Sequence, residues 1–190
     1  MKTYNSISLM FPLYKDSKTV KIMIQRSIKV LKKTKKKFEI IAIDDGCPEE
    51  SGLLAKNIAK KIPFIKVHFH KKNLGYGAAI RTGLSKCKNE IIFIIDGDAE
   101  YKVEDLPRLL KALDKNDLVI TYRIKKKYKT LRIIISWIYN NLLRFLFNIK
   151  FKDISTGSRV LRKKLLKNIL LTSNSPFIGA ELAIKSEKAG

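Results

Sequence analysis

The chain has 190 residues, of which 45% are hydrophobic and 30% are charged, and this composition excludes a disordered chain and predicts one globular domain. Its formal net charge is +23, so we expect anionic partners: nucleic acid, nucleotide phosphates or an acidic membrane surface. The two cysteines, Cys47 and Cys87, match no metal-binding pattern and are typical of reduced thiols in the cytoplasm, and the polar start of the chain predicts no signal peptide.

Short apolar runs alternate with segments of helical periodicity as far as residue 121. The first strand covers 7–11 and ends at Pro12, and a helix capped by Ser17 follows it. Further strands are predicted at 38–43, 65–69, 91–95 and 118–121, with helices at 49–61, 78–86 and 106–113. This alternation predicts an α/β fold with a parallel, doubly wound sheet, whose ligands bind outside the carboxyl ends of the strands.

The strand at 91–95 is continuously apolar and is followed by three carboxylates at alternate positions, Asp96, Asp98 and Glu100. In an extended chain such side chains point the same way, and Gly97 permits a turn between the first two. Carboxylates crowded in this way repel one another unless a cation lies among them. Their oxygens suit Mg²⁺ or Mn²⁺, ions that also hold substrate phosphates. The alternative is a polar turn that only ends the strand.

A second predicted strand, 38–43, also ends in acid, at Asp44 and Asp45. In a parallel sheet both acidic strand ends lie along the same edge, beside Asp96 and Asp98. Two neighbouring acidic strand ends favour a binding site over an ordinary turn.

A glycine loop, 73–77, follows the third predicted strand. It does not match a dinucleotide-binding fingerprint, because Ile80 stands where the third glycine is required and the loop does not follow the first strand. We expect instead that the helix beginning near Gly77 offers its N-terminal amides to an anion, and that Arg81 adds a bond to phosphate. A solvated helix face is the alternative for Arg81.

Six motifs occur in a specific order along nearly the whole chain: Pro12-Leu13-Tyr14-Lys15-Asp16, Ile43-Asp44-Asp45-Gly46, Asn73-x-Gly75-x-Gly77-Ala78, Asp96-Gly97-Asp98-Ala99-Glu100-Tyr101, Asp105-Leu106-Pro107 and Asp153-x-x-x-Gly157-x-Arg159. Together they resemble the family-two glycosyltransferases of the GT-A fold, and the branch they resemble most is the polyprenyl-phosphate (dolichol-phosphate) mannosyltransferase-like enzymes. The resemblance implies a GDP- or UDP-sugar donor, a divalent metal, Mg²⁺ or Mn²⁺, and transfer of the sugar with inversion.

The resemblance also implies roles for individual residues. Pro12, Tyr14 and Asp16 match the loop that holds the base and ribose, and Asp44 matches an acid that contacts them. The full predicted donor site is Pro12, Tyr14, Asp16, Asp44, Asp45, Asn73, Gly77, Arg81, Asp96, Gly97 and Asp98. The predicted metal ligands are Asp96, Asp98 and Glu100, where Glu100 replaces a glutamine common in the family. Asp16 and Lys15 also depart from the family pattern, which leaves the identity of the donor open.

The acceptor determines whether a base is needed. An acceptor hydroxyl needs one, whereas a lipid phosphate, with a second pKa of about 6, is already largely ionised. Glu181 lies near the position of a base in other members of the superfamily, but a structural carboxylate is the alternative, and we assign no base. Asp98, Arg123 and Arg159 are the predicted catalytic residues, with the two arginines gripping the acceptor phosphate; solvated surface positions are the alternative for both.

The segment 123–152 is basic and rich in apolar and aromatic residues. It is too polar and too short for a spanning helix and predicts one that lies in the interface of an anionic membrane. A helix that only covers the domain's own core is the alternative. We therefore expect a donor-binding half, 1–121, an acceptor half, 122–190, that is short at its C-terminus, and a peripheral location on the cytoplasmic face of the membrane.

Three rival functions remain. A glycosyltransferase with a saccharide hydroxyl acceptor differs only in the acceptor. A basic nucleic-acid-binding protein fits the charge, but no RNA-binding signature or helix-turn-helix is evident and the acidic strand ends oppose a polyanion, so we predict no nucleic-acid partner. A nucleotidyltransferase lacks its expected glycine-rich signature, because 12–17 contains no glycine. The oligomeric state stays open.

Overall fold

The computed structural model describes residues 4–122, 130–151, 153–154 and 156–189. Its strands and helices, in chain order, are β1 (Ser6–Leu13), α1 (Val20–Lys33), β2 (Lys37–Asp44), α2 (Ser51–Ala59), β3 (Ile65–Phe69), α3 (Tyr76–Lys86), β4 (Ile91–Ile95), α4 (Leu106–Ala112), β5 (Leu118–Ile120), α5 (Thr130–Phe147), β6 (Ser158–Arg162) and α6 (Ile178–Lys188). Short 3-10 helices cover Val103–Asp105 and Lys163–Lys167.

The strands form one sheet in the order β3-β2-β1-β4-β6-β5. β1 pairs in parallel with β2 and β4, and β2 pairs in parallel with β3, whereas β6 is antiparallel to both of its neighbours. The predicted fold, a mostly parallel α/β sheet flanked by helices, is confirmed. β6 was not predicted from the sequence; its two buried arginines, Arg159 and Arg162, are unusual in a central strand.

Both faces of the sheet are covered, because successive residues of its strands point to opposite sides. In β4, Ile91, Phe93 and Ile95 pack in one cluster with side chains of α1 and α4, and Ile92 and Ile94 pack in another with side chains of α3 and α6. All five residues are buried. Burial on both faces explains the continuous apolar run in the sequence. The strand order places β4, and therefore its carboxyl end, in the middle of the sheet.

The first strand and helix differ in detail from the prediction. β1 continues through Pro12 to Leu13, because its pairing with β4 stops at Met10 and Pro12 is not required to donate on that side. Ser17 is not the N-cap, which is Thr19. The Ser17 hydroxyl instead contacts Glu49 at 3.1 Å, while Thr19 Oγ1 donates to the carbonyl of Gly97 at 2.7 Å and ties α1 to the turn after β4.

The helix predicted in the basic segment is α5. Its Leu143 is buried in a third cluster with Ile149, Ile154 and residues of α6. Among the described residues, no helix is both long and apolar enough to cross a membrane.

Candidate active site

A cavity of about 300 Å³ lies beyond the carboxyl ends of β1, β2 and β4. Because these three strands are parallel, the residues that follow each of them meet there. Eight predicted donor-site residues line it: Pro12, Tyr14, Asp16, Asp45, Asn73, Asp96, Gly97 and Asp98. Leu13, Tyr76 and Ala79 complete the lining. We call this cavity the carboxylate pocket.

Negative charge is concentrated in the carboxylate pocket by Asp16, Asp96 and Asp98. Burial raises the pKa of Asp96 to about 6, and the charges of Asp98 and Asp16 add to the effect. Burial likewise raises the pKa of Asp16 to about 6, with the Asp98 charge contributing, although the amide of Tyr14 donates to Asp16 Oδ2 at 2.9 Å. A cation that enters the pocket would therefore offset the energetic cost of burying these charged carboxylates and the repulsion between them.

The third predicted metal ligand, Glu100, is not part of the carboxylate pocket. The chain turns after Asp98 instead of staying extended: Ala99 has a φ of 63°, and the amide of Glu100 donates to Asp98 Oδ1 at 2.9 Å. Alternate residues therefore do not share one side here. Within the described ranges, no group of three or more His, Cys, Asp or Glu side chains is arranged to hold a metal ion. Asp16, from the loop after β1, joins Asp45, Asp96 and Asp98 as the acids that line the pocket.

The Asp96 carboxylate is positioned by two residues far away in the sequence. Tyr76, which stands between the two motif glycines, donates a hydrogen bond to Asp96 Oδ1 at 2.8 Å, and this contact was not predicted from the sequence. Gly157 lies against the other oxygen: a Cβ built on it would overlap Asp96 Oδ2. The amide of Asp96 also donates to the carbonyl of Gly157 at 3.2 Å. The motif glycine thus makes room for the carboxylate.

Arg159 is buried, with 4% of its surface exposed, and does not line the pocket. Its charge acts on the neighbouring Asp96 and lowers the pKa of that carboxyl, against the larger effect of burial. One end of the guanidinium donates to the carbonyl of Thr156, but Nε is buried and has no hydrogen-bond partner among the described residues. The other predicted acceptor contact, Arg123, lies outside the described residues.

Residues 8–170 match the sequence model of a known family, described as glycosyl transferase family 2. The chain belongs to this family. The match covers most of the chain and includes every residue that lines the carboxylate pocket.

Several curated relatives carry names that concern polyprenyl phosphates. An undecaprenyl-phosphate 4-deoxy-4-formamido-L-arabinose transferase of Pseudomonas fluorescens is 26% identical over 86% of this chain and 49% of its own length. A dodecaprenyl-phosphate galacturonate synthase of Rhizobium johnstonii is 23% identical over 87% of this chain and 50% of its own length. An uncharacterized protein of Methanocaldococcus jannaschii is 31% identical over 85% of this chain and 78% of its own length. The chain spans about half the length of most of these relatives.

Solved structures share the fold. Glucosyl-3-phosphoglycerate synthase from Mycobacterium tuberculosis, in complex with Mn²⁺, UDP and glucosyl-3-phosphoglycerate, superposes with a TM-score of 0.76 at 18% identity over 97% of this chain and 66% of that one. Mannosyl-3-phosphoglycerate synthase from Rubrobacter xylanophilus gives a TM-score of 0.68 at 16% identity over 87% of this chain and 55% of that one. The fold of this family-2 chain is GT-A.

The two acids at the end of β2, Asp44 and Asp45, have different partners in this family-2 chain. Asp44 accepts the amides of Cys47 at 2.9 Å and Gly52 at 2.7 Å, so its carboxylate fixes the turn into α2 and does not line the pocket. Asp45 lines the pocket and accepts the amides of Leu74 and Gly75, both at 2.9 Å. Asp45 therefore holds the glycine loop against the end of β2.

The predicted phosphate contacts from Gly77 and Arg81 have other partners in the structure. The amide of Gly77 donates to the carbonyl of Asn174 at 2.8 Å. Arg81 donates to the carbonyl of Thr172 and to the side chain of Asn174. Segment 172–174, which precedes α6, therefore covers the start of α3. It accepts the hydrogen bonds of Gly77 and Arg81, the two groups that we expected to bind an anion. A segment so distant in sequence was not foreseeable from the glycine pattern.

Glu181 is a structural carboxylate. It accepts the amides of Thr172 and Ser173, at 3.0 and 2.9 Å, and the Nζ of Lys185 at 2.6 Å. Burial would raise its pKa, but these hydrogen bonds outweigh burial and lower the pKa to about 2. A carboxylate so weakly basic and so fully engaged is a poor general base.

Replacement of Glu181 with alanine is expected to lower the free energy of unfolding by about 2–3 kcal/mol, because it leaves amides of segment 172–174 without acceptors. Hydrogen exchange at Thr172 and Ser173 should accelerate in the variant. A variant with wild-type stability and exchange but no transferase activity would contradict the structural role and identify Glu181 as a base.

The raised pKa values of Asp16 and Asp96 predict how the metal-free protein responds to pH. Both carboxyls titrate near 6 when folded, against 3.8 ordinarily, so between pH 4 and 6 the folded state binds more protons than the unfolded state. The free energy of unfolding should therefore fall as the pH rises through this window, by about 3 kcal/mol for Asp96 and by less for Asp16, whose charge is partly screened by solvent. Urea unfolding in EDTA at several pH values measures it. In the Asp96→Asn variant the free energy of unfolding should fall less steeply with pH. Parallel pH profiles for this variant and the wild type would contradict the prediction.

Proposed function

We propose that this chain, with a donor-binding half at 1–121 and an acceptor half at 122–190, belongs to a glycosyltransferase that moves a sugar from a nucleotide-diphosphate sugar to a polyprenyl phosphate, with inversion. The observation that carries the proposal is the carboxylate pocket, in which Asp96 and Asp98 share one cavity with the loop after β1. The names of the curated relatives support a polyprenyl-phosphate acceptor. A hexose such as mannose is our proposal for the sugar, and GDP or UDP for the nucleotide.

In this proposal the pocket divides into a nucleoside end and a diphosphate end. Pro12, Tyr14 and Asn73 contact the base and ribose. Asp96 and Asp98 hold Mg²⁺ or Mn²⁺ together with the donor diphosphate. The donor set fits such an ion, because Mg²⁺ is commonly bound by one or two carboxylates and completed by substrate phosphates and water. When bound, the metal offsets the negative charge that develops on the departing diphosphate.

The acceptor side of the proposal rests on Glu181 and Arg159. Since Glu181 is engaged by segment 172–174, an acceptor that is already ionised is favoured over one that needs deprotonation. A phosphate monoester, with its second pKa of about 6, meets that condition. The buried Nε of Arg159 and the side chain of Arg123 are our proposed donors to the acceptor phosphate.

We propose that α5 rests on the membrane that carries the acceptor. The face of α5 that points away from the core is apolar, and its side chains are between 48% and 86% exposed: Ile134, Ile135, Trp137, Ile138, Leu142, Phe145 and Leu146. An exposed apolar patch of this kind is typical of an interaction surface, and Lys150 beside it, together with the basic segment before it, favours anionic headgroups. The cytoplasmic leaflet is the proposed location.

Vesicle sedimentation tests the role of α5. The double variant Trp137→Ser and Phe145→Ser should lose most of its binding to phosphatidylglycerol vesicles. Leu170→Ser is the control, since Leu170 is 77% exposed but lies outside α5. Retention of the double variant on vesicles would contradict membrane contact. A change in oligomeric state in the double variant would assign the surface to a second copy instead.

The function itself is tested by thermal stabilisation and by transfer. A panel of UDP- and GDP-sugars, with Mn²⁺, Mg²⁺ or EDTA, should contain at least one donor that raises the melting temperature only when metal is present. The donor identified should then label undecaprenyl phosphate. Absence of metal-dependent stabilisation by every donor would refute the nucleotide-sugar site, and labelling of a saccharide but not the lipid would refute the acceptor.

A further inference from the structure

A second cavity, of about 820 Å³, opens at the other end of β4 from the carboxylate pocket. Five of its lining residues are cationic: Lys88, Arg162, Lys163, Lys164 and Lys167. They come from the turn before β4 and from the end of β6 with its following 3-10 helix. These two segments are joined by the antiparallel pairing of β4 with β6 and by a hydrogen bond of 2.8 Å from the Lys163 amide to the carbonyl of Glu90. Roughly 20 Å of chain along β4 separate this basic cavity from Asp96.

Only part of the positive charge in the basic cavity is neutralised. Asp117 lies 2.9 Å from Lys164 and 3.4 Å from Arg162. For Lys88, Lys163 and Lys167, no carboxylate of the described part of the chain lies within ion-pair distance. Such an excess of one sign in a concave site attracts and concentrates counter-ions of the opposite sign.

The acid and the amide that line the basic cavity are turned toward β1. Glu90 Oε1 accepts the amide of Asn5 at 3.3 Å and the hydroxyl of Ser6 at 3.4 Å. Asn89 is buried and donates to the carbonyl of Ile7 at 2.9 Å. These contacts fix the turn before β4, so the cavity has a rigid wall behind its lysines.

The shape and charge of the basic cavity indicate the kind of ligand. Arg162 is buried, and its guanidinium is held by Asp117 and by the carbonyl of Leu113 at 3.3 Å, so a fixed cation lies at the back of the cavity. Lysine ammonium groups at the rim are point charges that suit phosphate oxygens. The volume is that of a site for a small organic molecule, and a concave wall backed by a sheet does not suit a flat bilayer.

We propose that the basic cavity binds a soluble compound that carries a chain of phosphate groups, at a site separate from the carboxylate pocket. This proposal does not depend on the proposed transferase function, because it uses none of the residues of that pocket.

Titration calorimetry with inorganic tripolyphosphate in EDTA tests the proposal. Without metal the carboxylate pocket repels the probe, so the signal reports the basic cavity. The triple variant Lys88→Ala, Lys163→Ala and Lys167→Ala should weaken binding about tenfold or more. The matched control is Lys21→Ala, Lys29→Ala and Lys32→Ala, which removes the same charge from exposed positions of α1 and should stay within about twofold of wild type.

Equal weakening in the two triple variants would overturn the proposal, because binding would then follow the overall charge of the protein. Loss of tripolyphosphate binding in Asp98→Asn would also overturn the proposal, because the probe would then be bound in the carboxylate pocket. If the triple variant does not fold, the single changes Lys88→Glu and Lys167→Glu, at exposed positions, replace it. A loss of retention on phosphatidylglycerol vesicles in the triple variant, with tripolyphosphate binding intact, would assign the lysines to a lipid headgroup and overturn the proposal.

Discussion

Asp98→Asn is expected to abolish metal-dependent binding of the nucleotide-sugar donor and to reduce transfer by about a hundredfold or more, because loss of a metal-ion contribution costs several kcal/mol in the transition state. The same change should raise the melting temperature of the metal-free protein by a few degrees. The melting temperature rises for an electrostatic reason. The Asp98 charge contributes to the raised pKa values of Asp16 and Asp96, so removal of that charge relieves repulsion in the folded state. Loss of activity with gain of stability separates this outcome from misfolding.

The matched control for Asp98→Asn is Glu100→Gln, two residues further along. Glu100 is exposed and lies outside the carboxylate pocket, so its neutralisation should change donor binding and transfer by less than about threefold. Scanning calorimetry and a transfer assay, each with and without Mn²⁺, compare the two variants. If the two variants lose donor binding and transfer equally, Glu100 is a metal ligand. The turn at Ala99 would then not keep Glu100 away from the metal.

Gly157→Ala has the second largest expected effect, because the added Cβ would occupy the position of Asp96 Oδ2. The carboxylate must move, and with it the hydrogen bond from Tyr76 to Asp96 Oδ1. We expect a loss of about 2–4 kcal/mol in the free energy of unfolding, as for other overpacked buried sites, together with loss of metal-dependent donor binding. Urea unfolding and donor titration measure the two effects.

A second substitution separates the steric cause from a general sensitivity of the loop. Asp96→Ala in the Gly157→Ala background removes the group that the new Cβ meets, so stability should recover most of the loss while donor binding stays absent. If the double variant is as unstable as Gly157→Ala alone, the clash lies with the backbone of the loop and our assignment is wrong.

The strand ends of the candidate site follow from short-range patterns. The run Ile91–Ile95 is apolar at every position because both sheet faces are covered, and a parallel sheet brings the residues after β1, β2 and β4 to one edge. Asp96, Asp98 and Asp45 could therefore be assigned to one pocket from the order of strands and acids along the chain. Glu100 does not line this pocket, because the periodicity argument assumed an extended chain and the chain turns at Ala99.

The contacts of the other predicted residues depend on distant partners. Gly77 and Arg81 bind segment 172–174, and Glu181 binds the same segment from the other side. A glycine loop, an arginine one turn into a helix and a lone glutamate each have several possible partners in sequence terms. Which of them they meet is decided only when α6 and the segment before it pack against α3.

The amino-acid sequence by itself determined the family, the class of the fold and the edge of the sheet on which the candidate site lies. Burial on two faces and acids at strand ends are both visible as patterns of consecutive residues. Tertiary structure decided which carboxylates share the pocket, which residues position Asp96, and which charged groups stay engaged inside the domain. It also brought Lys88 and Lys163 to one cavity, although they lie on separate segments. The physical reason is that hydrogen bonds and charge interactions act at short range, and folding alone determines which distant residues come within that range.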